Sequence, residues 1–215
     1  MTKKQRAKAV CDLLIEEYKD AKCSLDYKTP LELLIAVRLS AQCTDKRVNI
    51  VTKELFSRYK TVEEYSNADI TELENIIKPC GFFRDKAKSI KEFSAQIISE
   101  FDGEIPNTME GLLSLSGIGR KTANLILGEL FNEPSVVVAD THCIRISNKI
   151  GLADSKEPKK VEYQLRELLP PEKSLSFCHC LVWHGREICI ARRPKCAECV
   201  IKEYCKSYEK ANNIS

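Results

Sequence analysis

Apolar residues recur along this chain at helical spacing and almost nowhere at the alternating spacing of a strand. In the opening MTKKQRAKAVCDLLIEEYKD, Val10, Leu13, Leu14 and Tyr18 fall on one side of a helix. Thr29-Pro30-Leu31-Glu32 reads as a capping box, with a threonine N-cap, proline first in the helix and glutamate third; it predicts a helix to about Leu39. Thr44 or Asp45 caps the next, whose face is Val48, Val51, Leu55 and Tyr59. Thr61-Val62-Glu63-Glu64 repeats the box pattern, and a short helix around Leu73, Ile76 and Ile77 is stopped by Pro79 and Gly81. Residues 84–101 are periodic through Ala87, Ile90, Phe93, Ile97 and Phe101, with Gly103 as the stop. Further helices fit 109–114, 121–131, 141–150, 159–168 and 174–188. The run SVVVA at 135–139 is too short and isolated for a sheet and reads as an extended entry into a helix. The predicted fold class is all-α.

Composition narrows the class without naming a partner. A length of 215 residues allows one large domain or two small ones, and 43% hydrophobic with 30% charged residues excludes global disorder. No apolar run is long enough to cross a bilayer, and the basic N-terminus lacks the continuous apolar stretch of a signal peptide. The expectation is a cytoplasmic protein with no membrane partner. A net charge of +3 leaves nucleic acid open, because such footprints can be local. Eleven cysteines say more: seven are scattered, several in apolar stretches, and four are packed into residues 189–205. In a reducing compartment that cluster points to a metal or iron–sulfur site rather than to disulfides.

Three motifs carry candidate chemistry. The first is LSGIGRKTAN at 115–124. It lacks the glycine spacing of a nucleotide-binding P-loop, and Thr122 stands where a dinucleotide motif needs its third glycine. What remains is helix, tight turn, helix. Gly117 and Gly119 would let that turn approach a phosphate and aim backbone N–H groups at it, with Arg120 beside them. Lys121 follows near the helix start, and an unprotonated amine there is a nucleophile suited to Schiff-base chemistry. An ordinary solvated lysine touching phosphate is the alternative.

The second motif, VADTHCIRI, puts Asp140 where a helix begins, as an N-cap or as a fixed carboxylate that stabilises positive charge on a sugar ring. Spacing alone assigns His142, two residues on, no role, and a structural hydrogen bond is its plainer reading. The third is C-x6-C-x2-C-x5-C: Cys189, Cys196, Cys199 and Cys205 within 17 residues, able to ligate zinc or an iron–sulfur cluster. Arg192, Arg193 and Lys195 stand between the first two ligands, where a held loop would present positive charge to phosphates.

Together these motifs, with LSAQCTDKRVN (39–49) and GFFRDKA (81–87), resemble the endonuclease III family of base-excision DNA glycosylases, in family order over nearly the whole chain. The resemblance implies a two-domain helix–hairpin–helix glycosylase fold with a C-terminal [4Fe–4S] cluster loop. A six-helix barrel would span 24–133, and 1–23 plus 134–215 would form the cluster domain. It implies a bifunctional enzyme that flips out oxidised pyrimidines, releases them through a Schiff base and cuts the strand by β-elimination. Its partner would be double-stranded DNA with damaged bases or abasic sites, bound by a monomer. Lys121 would be the nucleophile, Asp140 the catalytic carboxylate, Gln42 the residue filling the gap left by the base, Phe82 the wedge and His142 a DNA contact. The four cysteines would hold the cluster. Three positions depart from the family pattern: Ser116 replaces a frequent proline and is expected to loosen the turn, Phe82-Phe83-Arg84 replaces an aliphatic-first loop, and Arg38 puts a charge among aliphatic residues. An adenine-type glycosylase, which uses water, is the nearest rival; Lys121 and the short segment after the cysteines argue against it. A non-catalytic iron–sulfur DNA-binding protein is more distant, because it would not need the Lys121/Asp140 pair.

Overall fold

The computed structural model describes residues 1–212, so the last three residues of the 134–215 segment lie outside it. Among the described residues there are twelve α-helices and no strand. They are α1 (Lys3–Glu17), α2 (Pro30–Ser40), α3 (Asp45–Arg58), α4 (Val62–Asn67), α5 (Ile70–Ile77), α6 (Phe83–Glu100), α7 (Met109–Ser114), α8 (Arg120–Phe131), α9 (Thr141–Ile150), α10 (Pro158–Leu168), α11 (Ser174–Glu187) and α12 (Lys206–Ala211). The chain divides into two compact units, Ser24–Phe131 and Met1–Cys23 with Asn132–Ser215.

In Ser24–Phe131 the apolar character of α2 dictates its place. Leu33, Leu34, Ile35 and Leu39 cover more than one face and all are fully buried, so α2 packs against α3, α6 and α8 at once. Helix α6 lays Ile90, Phe93 and Ile97 into the same core and carries α4 and α5 along its length. Each such side chain contributes about 1.5–3 kcal/mol on burial. Thr29, Thr44, Thr61, Asp69 and Thr108 each accept the N–H of the third helical residue, as short polar N-caps do at about 1 kcal/mol apiece. The box at Thr61 is complete. At Thr29 only its forward half forms, because the Glu32 carboxylate reaches one residue further back and accepts from the Lys28 N–H at 2.5 Å.

Lys86 breaks the polar-outside rule in this unit. It is 1% exposed on the buried stripe of α6, and its Nζ donates to the Leu39 carbonyl at 2.8 Å and the Cys80 carbonyl at 2.9 Å. The first is a terminal carbonyl of α2 without a helical partner; the second ends the short 3-10 turn Lys78–Cys80. Burial lowers the lysine's pKa, and the two carbonyls compensate its charge. Replacing Lys86 with methionine keeps the volume but leaves both acceptors unpaired. At about 1–3 kcal/mol for each buried unsatisfied group, urea denaturation should show a loss of roughly 3 kcal/mol. An unchanged midpoint would refute the tie.

In the other unit α1 packs on α10 and α11, and α9 on α10, α11 and α12. The buried stripe of α1 is Ala7, Val10, Cys11 and Leu14. Leu13, expected on that face, is 37% exposed, because at about 100° per residue it points to one side of the stripe set by Ala7, Val10, Cys11 and Leu14. Residues 135–139 form no strand, but they are not extended throughout: Ser135 sits in a turn with φ of 62°, the Asp140 N–H donates back to the Val138 carbonyl at 2.8 Å, and Val136, Val137 and Ala139 are buried ahead of α9. Cys11, Cys143, Cys178 and Cys180 are buried here, as Cys80 is in the first unit. Desolvation pushes the Cys11 thiol up to about 12 and Cys180 to about 11, which keeps them inert.

Candidate functional site

The turn between α7 and α8 is a helix–hairpin–helix. The Gly119 carbonyl accepts from the Ala123 N–H at 2.9 Å, so Gly119 occupies the N-cap position of α8. A glycine there brings no side chain of its own to the first-turn N–H groups, which carry the positive end of the helix dipole. The space where a Gly119 side chain would stand is open to 4 Å. Arg120 and Lys121 are the first two residues of α8, and Lys121 is exposed. Gly117 is constrained differently. Its φ is +72°, and a Cβ would lie 2.7 Å from Arg38 Nε and 2.9 Å from Ser89 Cβ.

The two departures around this turn acquire physical roles. Arg38 Nε donates to Ser89 Oγ at 2.6 Å and lays its guanidinium directly under Gly117. The Ser116 N–H donates to Gln96 Oε1 at 2.8 Å, its hydroxyl donates to Glu92 at 2.6 Å, and Gln96 also holds the Ser114 carbonyl. A proline could not make the first of these bonds. Ser116 therefore ties the turn to α6, against the expectation that it loosens it.

Gln42 and Phe82 lie in the same unit and share a rare conformation. Both are non-glycine residues in the left-handed region, with φ of 55° and 47°. Gln42 is exposed just beyond α2; Phe82 is 63% exposed and opens α6 directly after Gly81. Each conformation costs on the order of 1 kcal/mol or more and persists because the flanks are held. Lys86 holds both flanks, at Leu39 and at Cys80. Phe83 is engaged by Arg84, whose guanidinium carbon lies 5.0 Å from its ring centroid.

Asp140 lies in the other unit as the N-cap of α9. Its Oδ1 accepts from the Cys143 N–H at 2.7 Å, and the residue is half-buried. His142 Nδ1 sits 3.3 Å from Arg145 Nη2, the structural hydrogen bond that was its plainer role. Burial lowers the His142 pKa, so the ring is a neutral acceptor for the guanidinium. Gly185 on α11 has no Cβ and so lets His142 and Arg145 lie close against that helix.

Cys189, Cys196, Cys199 and Cys205 line one cavity of about 370 Å³, walled by Ile146, Ile150, Ile188 and Ile201. The thiols surround a volume rather than a point: among the described residues no group of His, Cys, Asp or Glu gathers closely enough for a single ion. Soft sulfur donors around a roomy, largely apolar cavity suit an iron–sulfur cluster, which the four thiolates would hold. Nitrogen donors face two of the sulfurs, Arg145 Nη1 at 3.6 Å from Cys189 Sγ and His184 Nε2 at 3.5 Å from Cys199 Sγ. Arg192, Arg193 and Lys195 are all exposed on the loop between the first two cysteines. Sequence reasoning did not single out Lys86 or His184, although each sits on the apolar stripe of its helix, which is the signal that marks a buried polar residue.

Comparison with known proteins agrees with this geometry. Residues 35–171 match the family of HhH-GPD superfamily base excision DNA repair proteins, and residues 189–205 match the iron–sulfur binding domain of endonuclease III. The cofactor is accordingly a [4Fe–4S] cluster. The chain is 45% identical to endonuclease III of Synechocystis sp. over 96% of its length and 94% of that protein's. It is 40% identical to endonuclease III of Bacillus subtilis, over 93% and 91% respectively. A solved structure of a trapped endonuclease III–DNA covalent intermediate superimposes with a TM-score of 0.91 at 37% identity, covering 99% of this chain and all of that one. With one family model spanning residues 35–171, a second covering the cysteine run and relatives aligned over nearly the whole chain, this protein belongs to the endonuclease III family of HhH-GPD base excision repair proteins.

Proposed function

We propose that this base-excision-repair DNA glycosylase and abasic-site lyase removes oxidised pyrimidines from double-stranded DNA through a Schiff base at Lys121. The carrying observation is the exposed Lys121 amine two residues after a bare glycine N-cap, beside the open space that a backbone phosphate would fill. A base inside the stack hides its sugar from attack, so the nucleotide is extruded first, which costs least for a damaged, poorly stacked base. Gln42 fills the gap in the stack and Phe82 wedges the opposite strand. Phe83 is already engaged by Arg84, which supports Phe82 in that role.

The Lys121 nitrogen then attacks C1′ of the deoxyribose, and the glycosidic bond breaks as the base leaves with its electron pair and takes up a proton. Asp140 stabilises the positive charge on the sugar while this happens. Ring opening gives a protonated imine. Loss of a C2′ proton expels the 3′ phosphate by β-elimination, and water hydrolyses the imine to free Lys121. In this scheme the 24–133 domain supplies the hairpin and nucleophile. The cluster domain supplies Asp140 and the basic loop of Arg192, Arg193 and Lys195. The protein acts as a monomer on one lesion. No helix among the described residues is long and apolar enough to cross a membrane.

Borohydride trapping on a duplex with one oxidised pyrimidine tests this reading. A covalent complex is expected there and not on an undamaged duplex. Lesion-dependent base release without trapping would point to a water-using glycosylase. The glycines give a second check. Gly117→Ala should lose about 1–2 kcal/mol of stability, because its φ is left-handed and its side-chain space is filled. Gly119→Ala should lose under about 1 kcal/mol yet weaken duplex binding roughly tenfold, equivalent to about 1.4 kcal/mol of contact. Equal affinity of Gly119→Ala and wild type would remove the phosphate from that turn.

A further inference from the structure

A buried polar chain runs to one cluster ligand and has no part in the chemistry above. Tyr18, at the end of α1, and His184, on α11, are 8% and 1% exposed. Tyr18 Oη lies 3.1 Å from His184 Nδ1, and His184 Nε2 lies 3.5 Å from Cys199 Sγ. The two rings meet edge to face at 5.9 Å, so the phenol can hardly turn elsewhere without losing its packing. The backbone fixes the imidazole as well. The His184 carbonyl accepts from the Cys189 N–H at 2.7 Å and from the Ile188 N–H at 3.0 Å, which ties the end of α11 to a second ligand.

The proton positions follow from the ligand's chemistry. A cysteine bound to iron is a thiolate and can only accept a hydrogen bond. Nε2 must then carry the ring proton, which leaves Nδ1 with a lone pair, and the Tyr18 hydroxyl is the donor that satisfies it. Removing the hydroxyl removes the group that favours this tautomer. We propose that Tyr18 and His184 act as one unit that sets the reduction potential of the cluster, with Tyr18 fixing the tautomer in which His184 donates its N–H to Cys199. Such a donor withdraws charge from the sulfur, stabilises the more electron-rich cluster, and so raises the potential.

The test is voltammetry of the cluster-loaded, DNA-free protein, with iron content and visible absorbance confirming equal loading. Tyr18→Phe keeps the ring and removes one hydroxyl; its potential should move negative. His184→Leu removes the donor and should move further in the same direction. His184→Gln offers an amide N–H near the place of Nε2 and should stay close to wild type. Fully loaded Tyr18→Phe and His184→Leu proteins at the wild-type potential would overturn the proposal, because edge-to-face packing alone leaves the couple unmoved. If His184→Leu fails to load, Tyr18→Phe decides by itself: a negative shift supports the unit and an unshifted couple overturns it. None of these readouts depends on which base the enzyme removes.

Discussion

Lys121→Gln is expected to abolish both borohydride trapping and strand cleavage, with rates falling on the order of a thousandfold or more, while the protein folds and still binds DNA. Glutamine has nearly the length of lysine without a nucleophilic amine, so the Schiff base cannot form. Lys121 is exposed on the first turn of α8, and surface substitutions of that kind stay within about 0.5 kcal/mol of wild-type stability. One cation is lost from the turn proposed to face DNA, so affinity should drop modestly and its dependence on log salt should flatten by no more than about 1. Single-turnover cleavage, trapping and a salt titration of binding measure these three quantities separately. Persistent trapping in Lys121→Gln would assign the nucleophile elsewhere.

Asp140 caps a helix and, in the proposed mechanism, serves the reaction with the same side chain, and two substitutions separate the duties. Its Oδ1 caps α9 by accepting from the Cys143 N–H. Asparagine caps a helix about as well as aspartate, so Asp140→Asn should keep the urea midpoint within about 0.5 kcal/mol of wild type. The same change removes the charge that stabilises the sugar cation, and base release should slow by about 100- to 1000-fold. Asp140→Ala loses cap and charge together and should in addition cost about 1 kcal/mol in stability. Unchanged base release in the asparagine variant would leave Asp140 as a cap and nothing more.

Much of this molecule was legible in its residues, for local physical reasons. Threonine before an apolar run has one strong use, and Thr29, Thr44 and Thr61 all serve it. Asp140 could be placed at a helix start on the same ground, and the cysteine spacing announced its cavity. What could not be read depended on partners distant in sequence. Arg38 looked like a stray charge until α6 and the hairpin were placed around it. The left-handed backbone at Gln42 and Phe82 falls on residues that are not glycine, and the Lys86 bond that holds the Gln42 side reaches across to the Leu39 carbonyl of α2, a contact that no local pattern shows. Leu13 looks as apolar as its neighbours, but the small residues Ala7 and Cys11 set the buried face of α1 and leave it to one side.

The clamp at Lys86 bears on how fast such a protein can survey a genome. Fixing the backbone of one residue in a single conformation costs about 1–2 kcal/mol when binding demands it. Gln42 and Phe82 stand on backbone already fixed in its unusual geometry from both sides of one ammonium. Part of that entropic cost is met once, during folding, instead of at every base pair visited. In the proposed roles, Gln42 and Phe82 would test a step, withdraw and test the next without reorganising their backbone, so the time spent at each site would be governed by the mechanics of the duplex.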